Sequence, residues 1–164
     1  MKLPFINAIV VGIVVLAFSC VDARAQETRE NVFIAPGGVS APGGTTRNYQ
    51  IGGGIERLLE RGFGASGDIA AVLPGQGSIS NTSGLAAIDL NYHFKGVRTE
   101  PFVAAGYSLL FRDFTANMFN FGGGINYWFA QDYGLRLEFR DSVGSLQNGP
   151  RAHYWAFRIG FNFR

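Results

Sequence analysis

The chain has one cysteine, Cys20, and two histidines, and it carries little charge: 14 Lys+Arg against 12 Asp+Glu in 164 residues. A lone thiol excludes an internal disulfide framework. The near-balance of charge gives no basic stripe and no reason to expect a nucleic-acid partner. Two histidines leave few ways to assemble a nucleophile, a base and an orienter. Past Gln26 no stretch is long and apolar enough for a membrane helix, which needs about 20 residues. Disorder is excluded as well, because large apolar residues are too many. What is abundant is glycine, at 23, and phenylalanine, at 15, a combination suited to pleated surfaces that need both bulk and relief from crowding.

The N-terminus is a separate object. Lys2 supplies a positive start, Ile9 to Phe18 an apolar core, and Ala23-Arg24-Ala25 a small-x-small cleavage pattern. Residues 1–25 are therefore expected to be a cleaved signal peptide, and 26–164 the mature domain. Cys20 follows Ala17-Phe18-Ser19 and faintly resembles a lipidation site, but a leucine three residues before it is missing and a good cleavage site lies beyond. Cutting after Ala25 leaves no thiol, 12 basic and 11 acidic residues.

The mature chain alternates with period two, which places successive side chains on opposite faces of a strand. His153, Trp155, Phe157, Ile159, Phe161 and Phe163 interleave with Tyr154, Ala156, Arg158, Gly160, Asn162 and Arg164. The same holds over 133–140, 119–129 and 85–94, and less strictly over 48–58, 63–73 and 101–111; 32–36 is the weakest. Eight strands are expected, at about 30–36, 48–58, 63–73, 84–94, 101–111, 118–129, 133–142 and 152–163. Most approach the roughly 9–11 residues that cross a bilayer at a tilt. The connections 37–47, 74–83, 112–117 and 143–151 are long and those at 59–62, 95–100 and 130–132 short, the pattern of outer loops and periplasmic turns. An internal echo runs through the chain: Ile51-Gly52-Gly53-Gly54-Ile55 recurs as Phe121-Gly122-Gly123-Gly124-Ile125, and in the same register Asp68 matches Glu138.

One face of these strands is bulky and apolar, the other small or polar with charges of both signs. Water would demand charges outside; a bilayer demands the reverse. Glu56, Asp68, Asp89 and Glu138 are expected to pair in an enclosed lumen with Arg136, Arg140 and Arg158, since buried charges persist only when paired. Eight strands leave room only for side chains. With Phe102 and Trp128 also inside, and inward glycines making space, a plugged interior is expected and not a channel. Interfacial aromatic girdles are expected at Phe63, Phe94, Tyr127, Phe129, Tyr133 and Phe163 on the periplasmic rim, and at Tyr49, Phe111, Phe119, Phe139 and Trp155 on the outer rim. The fold expected is an all-β, eight-stranded, antiparallel up-and-down transmembrane β-barrel in the cell outer membrane.

Pro101-Phe102-Val103-Ala104-Ala105-Gly106, Phe121-Gly122-Gly123-Gly124, Leu135-Arg136-Leu137-Glu138-Phe139-Arg140-Asp141 and Arg158-Ile159-Gly160-Phe161-Asn162-Phe163 resemble the small OmpA/OmpX-like outer-membrane β-barrel proteins. The resemblance implies an aromatic terminal strand read by the barrel-assembly machinery, although this chain ends on Arg164 where Phe is usual. No peptidoglycan-binding domain is expected after the barrel, and so no cell-wall tether of the larger OmpA type.

Other motifs are weaker. Gly62-x-Gly64-x-x-Gly67, with Asp89 beyond, matches a dinucleotide fingerprint literally, but no helix opens there. His93 reads as a lumen hydrogen-bonding partner. His153 with Ser142 or Ser145 and Asp141 sketches a lipid-modifying site, without the His-x-Ser arrangement of a deacylase. Arg47, Arg112 and Arg151 fall where lipopolysaccharide phosphates would lie, or are solvated loop charges. Asn81-Thr82-Ser83 is a loop sequence. The expectation is a monomeric scaffold without cofactor, in contact with outer-membrane lipid including lipopolysaccharide. The rivals are a lipid-modifying barrel enzyme and a soluble secreted barrel binding a small apolar ligand.

Overall fold

The computed structural model describes residues 27–77, 79–112, 115–145 and 151–164. The proposed signal peptide, its cleavage site and Cys20 lie outside them. Eight antiparallel strands close on themselves in sequence order: β1 (Glu27–Ala41), β2 (Gly44–Leu58), β3 (Phe63–Pro74), β4 (Ser83–His93), β5 (Thr99–Phe111), β6 (Thr115–Trp128), β7 (Tyr133–Ser145) and β8 (Arg151–Phe163). The ring closes where β1 pairs with β8, with Ile34 opposite Ile159. Closure leaves no unpaired sheet edge. Among the described residues no helix is long and apolar enough to cross a membrane.

The described chain ends, Glu27 and Arg164, and the β2–β3, β4–β5 and β6–β7 connections share one end of the barrel, here the terminal end; the other four connections form the distal end. Loop lengths correct the sequence reading. Residues 37–47 are not a long loop: β1 and β2 run on to Ala41 and Gly44, joined through Pro42 and Gly43. The β5–β6 connection shrinks to 112–114, and Thr99 and Glu100 belong to β5 instead of a turn. β7 and β8 likewise extend to Ser145 and Arg151. The distal side is thus built mainly from longer strands. Polar, Gly-rich sequence hid this, because cross-strand pairing overrides weak local β-propensity.

Gly62 of the nucleotide-like motif closes a strand-to-strand turn. Arg61 and Gly62 take φ of 65° and 88°, the left-handed region that glycine adopts without steric cost. Gly64 and Gly67 continue along β3.

Outward-facing side chains form an apolar wall. Val32, Ile34, Ile51, Ile69, Leu90, Val103, Phe121, Leu137, Ile159 and Phe161 are all exposed. The girdle residues named above point outward too: Phe63, Phe94, Tyr127, Phe129, Tyr133 and Phe163 at the terminal end, and Tyr49, Phe111, Phe119 and Trp155 toward the distal end. Phe139 is the exception in position. It lies midway along β7, opposite Gly123 and Phe157, and is the last apolar outward residue before Asp141.

Candidate functional site

The interior is built in three layers. The middle layer holds Asp68, Asp89 and Glu138 against Arg140 and Arg158. Arg140 Nε donates to Glu138 Oε1 at 2.7 Å and Nη1 to Asp68 Oδ2 at 3.1 Å, while Nη1 lies 2.8 Å from Asp89 Oδ2. Arg158 Nη1 donates to the same Asp68 oxygen at 2.7 Å. All five are buried. Arg140 sits on β7 and Asp68 on β3, four strands apart, so the bond crosses the barrel.

The sequence echo has a structural cause. Gly54 pairs with Asp68 across β2 and β3, and Gly124 pairs with Glu138 across β6 and β7. A Cβ on Gly54 would meet the Gly67 carbonyl at 2.7 Å, and one on Gly124 would come 2.9 Å from the Phe102 ring. Each glycine clears the wall beside an inward acid, and the two acids enter from opposite sides.

The layer at the terminal end joins Glu56, His93, Glu100, Arg29 and Arg136. His93 Nε2 lies 2.8 Å from Glu56 Oε1, and Nδ1 lies 2.6 Å from Glu100 Oε1. Arg136 donates to Glu138 at 3.0 Å and to Glu56 at 3.3 Å. Arg29 grips Glu100 with two bonds, of 2.5 and 3.1 Å, again across the barrel from β1 to β5. Aromatic faces carry the guanidiniums: Arg136 over Phe102 at 3.8 Å, Arg158 over Phe33 at 4.3 Å, and both Arg164 at 3.9 Å and Arg29 at 4.9 Å over Trp128. Such contacts stabilise a cation by ring electrostatics.

The structure therefore brings together all seven charged residues singled out in the sequence, Glu56, Asp68, Asp89, Glu138, Arg136, Arg140 and Arg158. It adds Arg29, Glu100 and Phe33. Glu100 lay in a segment read as turn. Arg29 and Phe33 lay at the weakest strand, where the outward Val32 and Ile34 already held the alternation that reveals Phe33.

The distal layer departs from a wholly polar lumen. Val72, Leu85, Leu110, Ala116, Met118 and Tyr154 form an apolar cluster inside the wall, with Asn120 donating to Ser108 at 2.6 Å and Tyr154 to Asn48 at 3.3 Å beside it. At the same height the outer face of β6, β7, β8, β1 and β2 carries Asn117, Asp141, His153, Ser40 and Arg47. On β6 and β8 the polarity of the wall is thus reversed, with Ala116, Met118, Ala152 and Tyr154 inside and Asn117 and His153 outside.

His153 Nδ1 lies 2.7 Å from Asp141 Oδ2 on the outer face. Ser142 is buried on the inner face, so it cannot reach His153 from there, contrary to the triad sketched from the sequence; Ser145 is exposed. Arg47, Arg112 and Arg151 are exposed at the distal end. Arg112 Nη2 donates to the Ser80 carbonyl at 2.8 Å and to Asn81 Oδ1 at 3.0 Å. Among the described residues no cluster of His, Cys, Asp and Glu has a metal-holding arrangement.

No family model matches the chain, and no curated protein matches it in sequence. Solved structures match in fold. Neisserial surface protein A superposes with a TM-score of 0.68 at 9% sequence identity, over 83% of this chain and 96% of that one. The N-terminal β-barrel domain of Pseudomonas aeruginosa OprF gives 0.54 at 21% identity, over 84% and 100%. Ail, the attachment invasion locus protein of Yersinia pestis, in complex with the heparin analogue sucrose octasulfate, gives 0.54 at 10% identity, over 83% and 97%. The likeness is one of fold, to small eight-stranded outer-membrane barrels.

Proposed function

We propose that the mature chain is a monomeric outer-membrane barrel whose interior is plugged and whose task is structural or interactive, as a stable scaffold presenting the distal hairpins outside the cell. The observation that carries this reading is the polarity of the wall: buried ion pairs inside and an exposed belt of Phe, Tyr, Leu and Ile outside. On β8 the belt runs from Trp155 to Phe163, which at about 3.4 Å per residue and a tilt near 40° spans about 21 Å, close to the ~25 Å apolar band of such barrels. At the terminal end the belt is flush with the turns; at the distal end most strands continue beyond it. The orientation follows from the strands that project past the belt at the distal end, since the larger extensions of such barrels lie outside the cell; both described chain ends then lie on the periplasmic side. The signal sequence supports export, and the aromatic β8 supports handling by the barrel-assembly machinery.

Side chains fill the lumen in all three layers, which supports a scaffold over a pore. In vesicle-swelling assays the barrel should admit small sugars no faster than lipid alone. The membrane reading is tested by fractionation of an expressing Gram-negative host. Recovery with the outer membrane, release only by detergent and a heat-dependent shift in gel mobility are expected. Recovery from the periplasm without detergent would end this reading and favour a soluble secreted barrel. The His153–Asp141 pair keeps a second reading, a lipid-modifying barrel enzyme; loss of lipid A modification in His153→Ala would establish it, and an inactive unaltered protein would remove it.

A further inference from the structure

The apolar belt is not level. On β6 through β2 it gives way to Asn117, Asp141, His153, Ser40 and Arg47, whereas on β3 to β5 it continues through Leu73, Leu109 and Phe111. In this raised stretch a groove of about 610 Å³ opens outward, within the range of small-ligand sites, ~300–1,000 Å³. Its outward floor is made of small residues, Gly53, Ala71 and Gly84, and its sides of Ile51, Ile69 and Phe111. Ala71 pairs with Ile51 on one side and Gly84 on the other. The Phe111 ring occupies the place a Gly84 side chain would take.

The lip of the groove is polar, and cations lie beyond it. Thr82 and Ser83 line it. Arg112 follows the Phe111 side and is braced to the same connection through Ser80 and Asn81. Arg47 faces outward on β2, and its carbonyl accepts the Gly75 N–H at 2.9 Å, tying it to the other flank. Two arginines thus stand distal to a greasy slot that is continuous with the bilayer-facing belt, Arg112 next to the lining Phe111 and Arg47 beyond Tyr49 on the strand of the lining Ile51.

We propose that this groove seats an acyl chain of a bisphosphorylated glycolipid of the lipid A type, with Arg47 and Arg112 each taking one phosphate. The proposal rests on the outer-membrane reading. The apolar slot suits hydrocarbon, and a guanidinium suits phosphate through two parallel hydrogen bonds. Two separated cations match a headgroup with two phosphates better than a glycerophospholipid with one. A second copy of the chain fits less well: among the described residues the outward acid at the distal end is Asp141, which is engaged by His153 and stands on β7, across the barrel from the groove.

The test is native mass spectrometry of the barrel in phosphatidylcholine nanodiscs doped with bisphosphorylated lipid A, with its dephosphorylated form or with phosphatidylglycerol. One lipid A should be retained per barrel, about tenfold in preference to either competitor. Arg47→Gln and Arg112→Gln should each weaken retention roughly tenfold, the size of one charge-assisted contact. Ala71→Trp, which fills the floor, should abolish retention while gel mobility shows a folded barrel. If that variant fails to fold, the two surface arginine variants decide the matter alone. Equal retention of all three lipids, or unchanged lipid A retention when both arginines are replaced, overturns the proposal. So does a dimeric species lost in Ala71→Trp, which would assign the groove to a second copy. A barrel that enters the discs without preference refutes only the groove; one that does not enter them refutes the membrane reading as well.

Discussion

Arg140→Met is the sharpest test of the interior. Asp68, Asp89 and Glu138 face Arg136, Arg140 and Arg158, and Arg140 touches all three acids. Its removal leaves three buried acids to two arginines, and strands Asp89 in particular, whose ion pair is with Arg140. Breaking a buried pair by deleting one partner costs about 3–5 kcal/mol, because the abandoned charge stays desolvated; an exposed pair would cost at most about 1 kcal/mol. Asp89→Asn added to Arg140→Met restores the balance at two and two, so the double variant should be more stable than the single one, with a coupling of at least about 2 kcal/mol. Guanidinium unfolding in micelles, followed by tryptophan fluorescence and by gel mobility, measures both. A cost below about 1 kcal/mol for Arg140→Met, or costs that simply add, would refute the claim that a desolvated charge network holds this lumen.

Gly54→Ala and Gly124→Ala should each destabilise by about 1–3 kcal/mol, since the new methyl meets backbone and the packed interior and overpacking of this kind is costly; the same unfolding assay reads it. Ile159→Arg, on the outer wall midway between Trp155 and Phe163, should cost about 2–4 kcal/mol in vesicles if the wall faces lipid near the midplane, and almost nothing if it faces water. Trp128→Ala should cost about 3–5 kcal/mol, as a buried aromatic deletion. Arg164→Ala, which removes one of the two cations on that ring from a partly exposed position, should stay below about 1 kcal/mol, with faster hydrogen exchange confined to the β1–β8 seam.

Much of this architecture was legible in the sequence because period-two alternation is strict wherever one face is bulky and apolar and the other small or polar. The register of 133–140 and 152–163 could be read directly, and with it the inward Arg136, Glu138, Arg140 and Arg158. The glycine echo marked Asp68 and Glu138 as matching inward acids; that they enter from opposite sides follows from ring closure, which the repeat alone does not show. Alternation fails as a guide where the lumen turns apolar: Leu85, Leu110 and Met118 face inward, beside outward residues that on β4 and β5 are no more polar. It also fails at 37–47, where Gly, Ser and Thr look like loop but are paired as strand. Glu100 and Arg29 sit near strand ends, where their roles follow from reaching across the barrel, a long-range contact with no local sequence signature. Ser142 shows the converse error, since proximity in sequence to Asp141 places it on the opposite face.

The cross-barrel contacts have a mechanical consequence. Arg29 to Glu100 and Arg140 to Asp68 act as spokes along two diameters, β1 to β5 and β3 to β7, at two different heights. A hollow tube of eight strands is softest toward flattening, because that motion bends the sheet without breaking a ladder hydrogen bond. With spokes in place, flattening along one diameter must compress one pair and stretch the other, so the cross-section is held round by short, stiff charge contacts. The described strand ends at the distal rim then inherit their cross-section from the middle of the tube.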